Sequence, residues 1–157
     1  MNAIPGIKHR HLHIDENFAP CTPYPGDEIY SRSAVKLNIS AILRVLEAGA
    51  IAHRTERIHL SVWFSSRFGS GGTINEMHLN NIEIKQPVIQ AELKPDYFEI
   101  IDGNHRMAKA RRDGLEYIDS IKLSAESLLP FFVDRNSCLG FIEHWNGHAC
   151  VSNLLLM

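Results

Sequence analysis

The residues with the clearest chemical potential are Asp102, Gly103, Asn104, His105 and Arg106, which follow the strand-like run Tyr97 to Ile101 and open a short helical stretch ending at Gly114. A helix begins with backbone N–H groups that lack partners, and its dipole places partial positive charge there. A strand that turns through glycine into such an end is suited to hold an anion. Gly103 lets a phosphate approach the backbone, and Arg106 offers a permanently charged, bidentate fork. His105 adds a hydrogen bond or a proton near neutral pH. Asn104 stands between them, and Lys109 adds charge one turn later. Asp102 opposes an anion unless it binds a metal, orients His105 or caps the helix. The spacing therefore describes a phosphate or nucleotide site, with Mg²⁺ as the cation that Asp102 would hold. Asp-Gly-Asn is equally a common turn, in which Asp102 or Asn104 merely caps the helix.

Other groups carry weaker signals. His9, His11, His13 and Asp15 alternate, so on a strand all four would face one side, in reach of Zn²⁺ or a similar metal. His144, His148 and Cys150, with Cys138 upstream, could form a metal site but match no standard finger spacing, and Asn146-Gly147 reads more simply as a turn. Arg67 to Thr73, "RFGSGGT", lacks the Lys-Ser/Thr ending of a phosphate loop; it reads as a connection, which could close over a ligand. Lys109, Arg111 and Arg112 form a basic cluster that is either a solvated helix face or a contact to DNA phosphates. At least one of Trp63 and Phe64 belongs to the core. Glu76 and Glu92 are spare carboxylates for Mg²⁺ or water.

The elements that must position these groups follow from periodicity. An irregular, proline-rich arm is expected over 1–27, with a short strand at Lys8 to Ile14. A helix is expected over Ser33 to Ala48, ended by Gly49. Arg57 to Phe64 alternates as a strand. A short helix or turn is expected over Ile74 to Ile84. Val88 to Leu93 and Tyr97 to Ile101 form a hairpin around Lys94-Pro95-Asp96. Asn104 to Asp113 is helical, Glu116 to Leu123 is a strand, and Ser124 to Phe132 is a helix capped by serine. The tail from Asp134 mixes turn signals with short apolar runs.

The ordered combination "QPVIQAEL", turn, "YFEIIDGNHRMAKARRDG", "EYIDSIKL" resembles the ParB/sulfiredoxin superfamily, and the Asp102–Arg106 signature is similar to the "DGQHR" of ParB-like proteins in DNA-modification systems. The match covers Gln86 to Phe132. It implies an α/β (α+β) fold, compact and single-domain, whose strand-to-helix turn binds nucleotide phosphates. Gly103, His105 and Arg106 would then meet phosphate. Asn104 stands where sulfiredoxin has cysteine, so sulfinyl exchange has no thiol at that place. No helix-turn-helix signal follows Phe132, which argues against a complete partition protein.

The organisation expected is an arm over 1–30, a ParB/sulfiredoxin-like domain over 31–133, and a C-terminal extension over 134–157 packed on that domain. The chain has 157 residues, 45% hydrophobic and 22% charged, with a net charge of -2, so no global basic field draws it to nucleic acid or anionic lipid. No apolar run is long enough for a membrane span and the first residues lack a signal-peptide core, so a cytoplasmic protein with reduced thiols is expected.

The leading expectation is a protein that binds ATP or another nucleoside triphosphate with Mg²⁺, with hydrolysis and, as the resemblance implies, DNase action. Asp102, His105 and Arg106 would be the catalytic group, Gly103 to Arg106 and Lys109 would hold phosphate, and Lys109, Arg111 and Arg112 would meet DNA. Loss of Arg106 would abolish nucleotide binding and leave the fold intact. The alternative is a non-catalytic regulatory or inhibitory module of plasmid or phage origin, which blocks a DNA-transfer or partition machinery through protein contacts. A third reading is metal-dependent hydrolysis through His11, His13 and Asp15.

Overall fold

The structure, a computed structural model, describes residues 10–67, 79 and 81–155, the last six by backbone. Strands β1 (Ile29–Arg32) and β2 (Val35–Asn38) pair antiparallel as a hairpin. Helix α1 (Ile39–Glu47) follows directly, then β3 (Arg54–His59) and helix α2 (Leu60–Ser65). Strands β4 (Val88–Lys94) and β5 (Tyr97–Asp102) lead into helix α3 (Asn104–Arg112). After β6 (Tyr117–Leu123) come helix α4 (Ala125–Leu128), a 3₁₀ turn at Leu129–Phe131 and helix α5 (Arg135–Leu155). The four-stranded sheet has the order β3-β6-β4-β5, so the architecture is α+β, as the sequence implies. No helix among the described residues is long and apolar enough to cross a membrane.

Contacts divide the chain into two units: Met1–Ala52 with Ala91–Glu99 and Ser124–Met157, and His53–Gln90 with Ile100–Leu123. The second unit has a core of Ile58, Leu60, Val88, Ile100, Met107, Ala110 and Ile118, with Trp63 and Phe64 half-buried against it. Two buried polar side chains inside this unit are paired through one hydroxyl. The Gln90 amide donates to Ser120 Oγ at 2.8 Å, and that hydroxyl donates to the Glu56 carbonyl at 2.7 Å. The first unit buries Leu37, Ile39, Ile42, Phe132, Phe141 and Trp145.

Several expected elements turn out differently, among them the arm strand, which is coil over 10–14, and the Ser124–Phe132 helix, which breaks into α4 and the 3₁₀ turn. The helix expected over Ser33 to Ala48 begins only at Ile39. Buried Asn38 ends β2, and its side chain accepts from the Ala41 amide, so it caps the helix. At the other end Gly49, at φ 69, donates to the Leu46 carbonyl while Ala50 donates to that of Val45, the glycine-terminated cap expected. The strand expected over Arg57 to Phe64 stops at His59, whose Nδ1 accepts from the Val62 amide and opens α2. Val62, which strand alternation would put on one face with Ile58, Leu60 and Phe64, is 60% exposed. The tail is one 21-residue helix that runs straight through Asn146-Gly147. Cys138, Phe141, Ile142, Trp145 and Ala149 recur at helical spacing and are all buried, which outweighs the local turn signal.

Asn146 also explains the arm. Its side chain accepts from the Leu12 amide at 2.8 Å and donates to the Leu12 carbonyl at 3.0 Å. The Trp145 indole donates to the Arg10 carbonyl at 2.8 Å. Leu12 is buried while His11, His13 and Asp15 are exposed, so the alternation of the arm is kept without a partner strand. His9 and the start of the strand expected from Lys8 lie outside the described residues, as do most of the Arg67–Thr73 loop, Glu76 and most of the Ile74–Ile84 segment.

Replacing Asn146 with Ala strips both partners from the Leu12 backbone, a loss of about 1–3 kcal/mol. A fall in the urea midpoint with faster exchange of the Leu12 amide is expected; an unchanged midpoint contradicts this role. Tyr30 titrates in the opposite direction from an acid-sensitive group. Burial first, and then Glu99, push its phenol from 10.0 up to about 12. The unfolded chain releases this proton at the lower pH, so stability falls as pH rises from 10 to about 12. Stability measured across that window should fall less steeply in Tyr30→Phe, and an equal slope would contradict the assignment.

Candidate functional site

The site is built from the β5–α3 turn and the segment entering β4, all within the second unit. Pro95 and Asp96 make the tight connection between β4 and β5, with Asp96 at φ 59. The Asp96 amide donates to Glu92 Oε2 at 3.2 Å, and Glu92 Oε1 accepts from the Ala125 amide at 3.2 Å. Both oxygens of this 7%-exposed carboxylate thus serve backbone amides, and Glu92 is not the spare ligand expected from sequence.

Gly103 has φ 102, and α3 starts on it with no side-chain cap. A Cβ there would lie 2.6 Å from Val88 Cγ1 and 3.2 Å from Arg106 Cζ. The glycine is therefore required by the packing of the chain on itself. The face from which a side chain would project is filled by Val88 and Arg106, so any anion must come to the turn from the side of the amides.

Arg106 is drawn inward. One terminal nitrogen donates to the Gln86 and Pro87 carbonyls, each at 2.9 Å, and the other to Asp102 Oδ2 at 2.8 Å. The paired side chains are only 16% and 15% exposed. Asp102 does not cap α3; its carboxylate holds Arg106. A charge-assisted clamp of this kind fixes the start of β4, the end of β5 and the first turn of α3 together. Removal of Arg106 would unpair Asp102 and two carbonyls, so the expectation of an undisturbed fold does not carry over to this geometry.

Asn104 and His105 are exposed at the mouth of the helix. The basic cluster is spread over three different contacts. Lys109 donates to the Ile82 carbonyl, Arg111 lies 4.3 Å from the centroid of the Phe64 ring, and Arg112 pairs with Asp113 at 3.2 Å. All three also sit in the last turn of α3, where cations complement the helix dipole. Gly114, at φ 73, closes that helix. No three His, Cys, Asp or Glu side chains come together as a metal cluster among the described residues, and His11, His13 and Asp15 form no such group. The backbone partners of Arg106 were not visible in the spacing, since they lie 19 and 20 residues away.

No protein-family model, no curated protein and no solved structure matches this chain. The likeness to the ParB/sulfiredoxin superfamily therefore rests on the residues of the β4–β6 segment themselves.

The two positive-φ glycines flanking α3 separate conformation from packing. Gly114→Ala, with open space around the new methyl, should cost about 1–2 kcal/mol for the left-handed backbone alone. Gly103→Ala should lose about 1–3 kcal/mol more through overpacking on Val88. Denaturant titration of both variants checks the difference, and equal losses would show that Val88 yields freely.

Proposed function

We propose that this chain binds a nucleoside triphosphate, ATP first among them, through the open first turn of α3. One observation carries the reading: α3 opens on a left-handed glycine with no side-chain cap. Asp102, the nearest carboxylate that could compete for the amides, is held by Arg106 instead. The N–H groups of Asn104, His105 and Arg106 precede the first intrahelical bond, donated by Met107 to Gly103. They and the helix dipole favour a phosphate, with Asn104 and His105 exposed to add donors. Gly103 contributes by letting the turn close on Val88. Arg106 contributes by neutralising Asp102 behind the amides.

Hydrolysis with Mg²⁺, with Asp102, His105 and Arg106 as the catalytic group, and DNA cleavage are the further steps that the family resemblance implies, in a cytoplasmic protein. A cation at Asp102 would have to compete with the Arg106 ion pair. Contact with DNA through Lys109, Arg111 and Arg112 would likewise draw on side chains already engaged. These competitions favour a second reading in which nucleotide binds without turnover. The chain would then be a regulatory module of plasmid or phage origin, acting through a protein partner.

Titration calorimetry with ATP, CTP and GTP, each with and without Mg²⁺, tests binding. His105→Glu is the informative variant. A carboxylate in the first turn stabilises the helix by about 0.3–1 kcal/mol and repels a phosphate at the same place. Raised thermal stability with affinity reduced by about tenfold or more, a difference of roughly 1.4 kcal/mol, is expected. The absence of binding by any of the three nucleotides, or unchanged affinity in His105→Glu, overturns the site. Phosphate release with and without DNA then separates the enzyme from the module.

A further inference from the structure

Helix α5 has a second face. Gly140, Glu143, His144, Gly147 and His148 line an open groove of about 450 Å³. They lie opposite the buried stripe of Cys138, Phe141, Ile142, Trp145 and Ala149. Each interior glycine costs about 1 kcal/mol of helix propensity relative to alanine. Packing requires neither: a Cβ at Gly140 would lie 3.7 Å from that of Ala34, an ordinary contact, and one at Gly147 would meet nothing within 4 Å. Gly147 leaves the groove open between the two histidines.

Those histidines converge. His144 and His148 stand one turn apart, their rings edge to face with centroids 4.5 Å apart, and their Nε2 atoms are separated by 3.1 Å. Two imidazole nitrogens on one metal, each at about 2.0–2.1 Å, are about 2.9 Å apart at a right angle and about 3.4 Å apart at a tetrahedral angle. The observed separation falls between these limits, so a metal ion could replace the hydrogen bond between the rings with little side-chain movement. Glu143 lines the same groove and adds negative charge beside the pair. We propose that His144 and His148 form a two-imidazole chelate for a borderline transition-metal cation, Zn²⁺ or Cu²⁺ in class, completed by water.

The pattern is related to helical zinc-protease sites, which also place two histidines at i and i+4, but those carry a glutamate directly after the first histidine as general base. Here that position is Trp145, which is fully buried. The groove therefore holds a cation without the base for peptide hydrolysis. Affinity rests on both nitrogens together, so loss of either histidine should be felt.

The test uses the full chain prepared without a histidine tag. Titration calorimetry with Zn²⁺, and Cu²⁺ electron paramagnetic resonance for coordinated nitrogen, are run on the wild type, His144→Ala, His148→Ala and His13→Ala, with circular dichroism as the fold check. The expected result is one site per chain, weakened about tenfold or more by either α5 substitution and unmoved by His13→Ala. No binding to the wild type, or binding that both α5 variants retain, overturns the chelate. Loss confined to His13→Ala assigns the metal to the arm and overturns it equally.

Discussion

The carbonyls of Gln86 and Pro87 stand just before β4, and the guanidinium of Arg106 meets both. Proline can donate nothing in return, so the segment depends on an outside donor. The same guanidinium holds Asp102, the last residue of β5. It reaches this position because Gly103 has no Cβ; a side chain there would collide with Val88 and crowd Arg106. Glycine, valine and arginine thus form one constraint. Each can keep its place only if the other two do. The exposed helix mouth is a consequence, since Asp102 cannot cap α3 while it is paired to Arg106.

A comparable substitution of side chain for backbone organises the first unit. The arm around Leu12 has the alternation of a strand but no strand beside it. The Asn146 amide takes both of the Leu12 backbone bonds, one as acceptor and one as donor. Trp145 adds a third bond, to Arg10, whose side chain in turn pairs with Glu126. An asparagine inside a helix is a modest helix former, and here its reward is tertiary. The cost of breaking backbone pairing in a buried stretch accounts for an asparagine in mid-helix where the dipeptide alone suggests a turn.

This difference between local and distant partners decides what could be read from the sequence. Strands β4, β5 and β6 and helix α3 were readable because each carries its own signal: a short apolar run, a Pro-Asp turn, and a glycine at either end of the helix. Gly49 ended α1 for the same local reason. The boundary at Asn38 was hidden because Val35 and Leu37 extend the apolar pattern of the helix backwards, and only the capping bond to Ala41 marks the change. The strand at Arg57 to Phe64 was overextended because alternate apolar residues continue through Leu60 and Val62 beyond His59. At the site, the motif showed where Arg106 stands but not where it points. Its direction is set by Gln86 and Pro87, which are remote in sequence.

The proposed receptor is made of main-chain amides, and this restricts what it can discriminate. Amide groups and a helix dipole respond to charge and to the spacing of oxygens, and carry no information about a base. On the proposed reading, selectivity among nucleotides must therefore come from side chains at the rim. Asn104 and His105 are the exposed candidates, and both can donate and accept hydrogen bonds. The Asp102–Arg106 pair is close to neutral as a unit, so it neither repels nor strongly draws the ligand. Attraction would come mainly from the first-turn amides and the helix dipole, whose contribution is fixed by the backbone. Changes at the rim should then alter which nucleotide binds more than whether phosphate binds at all.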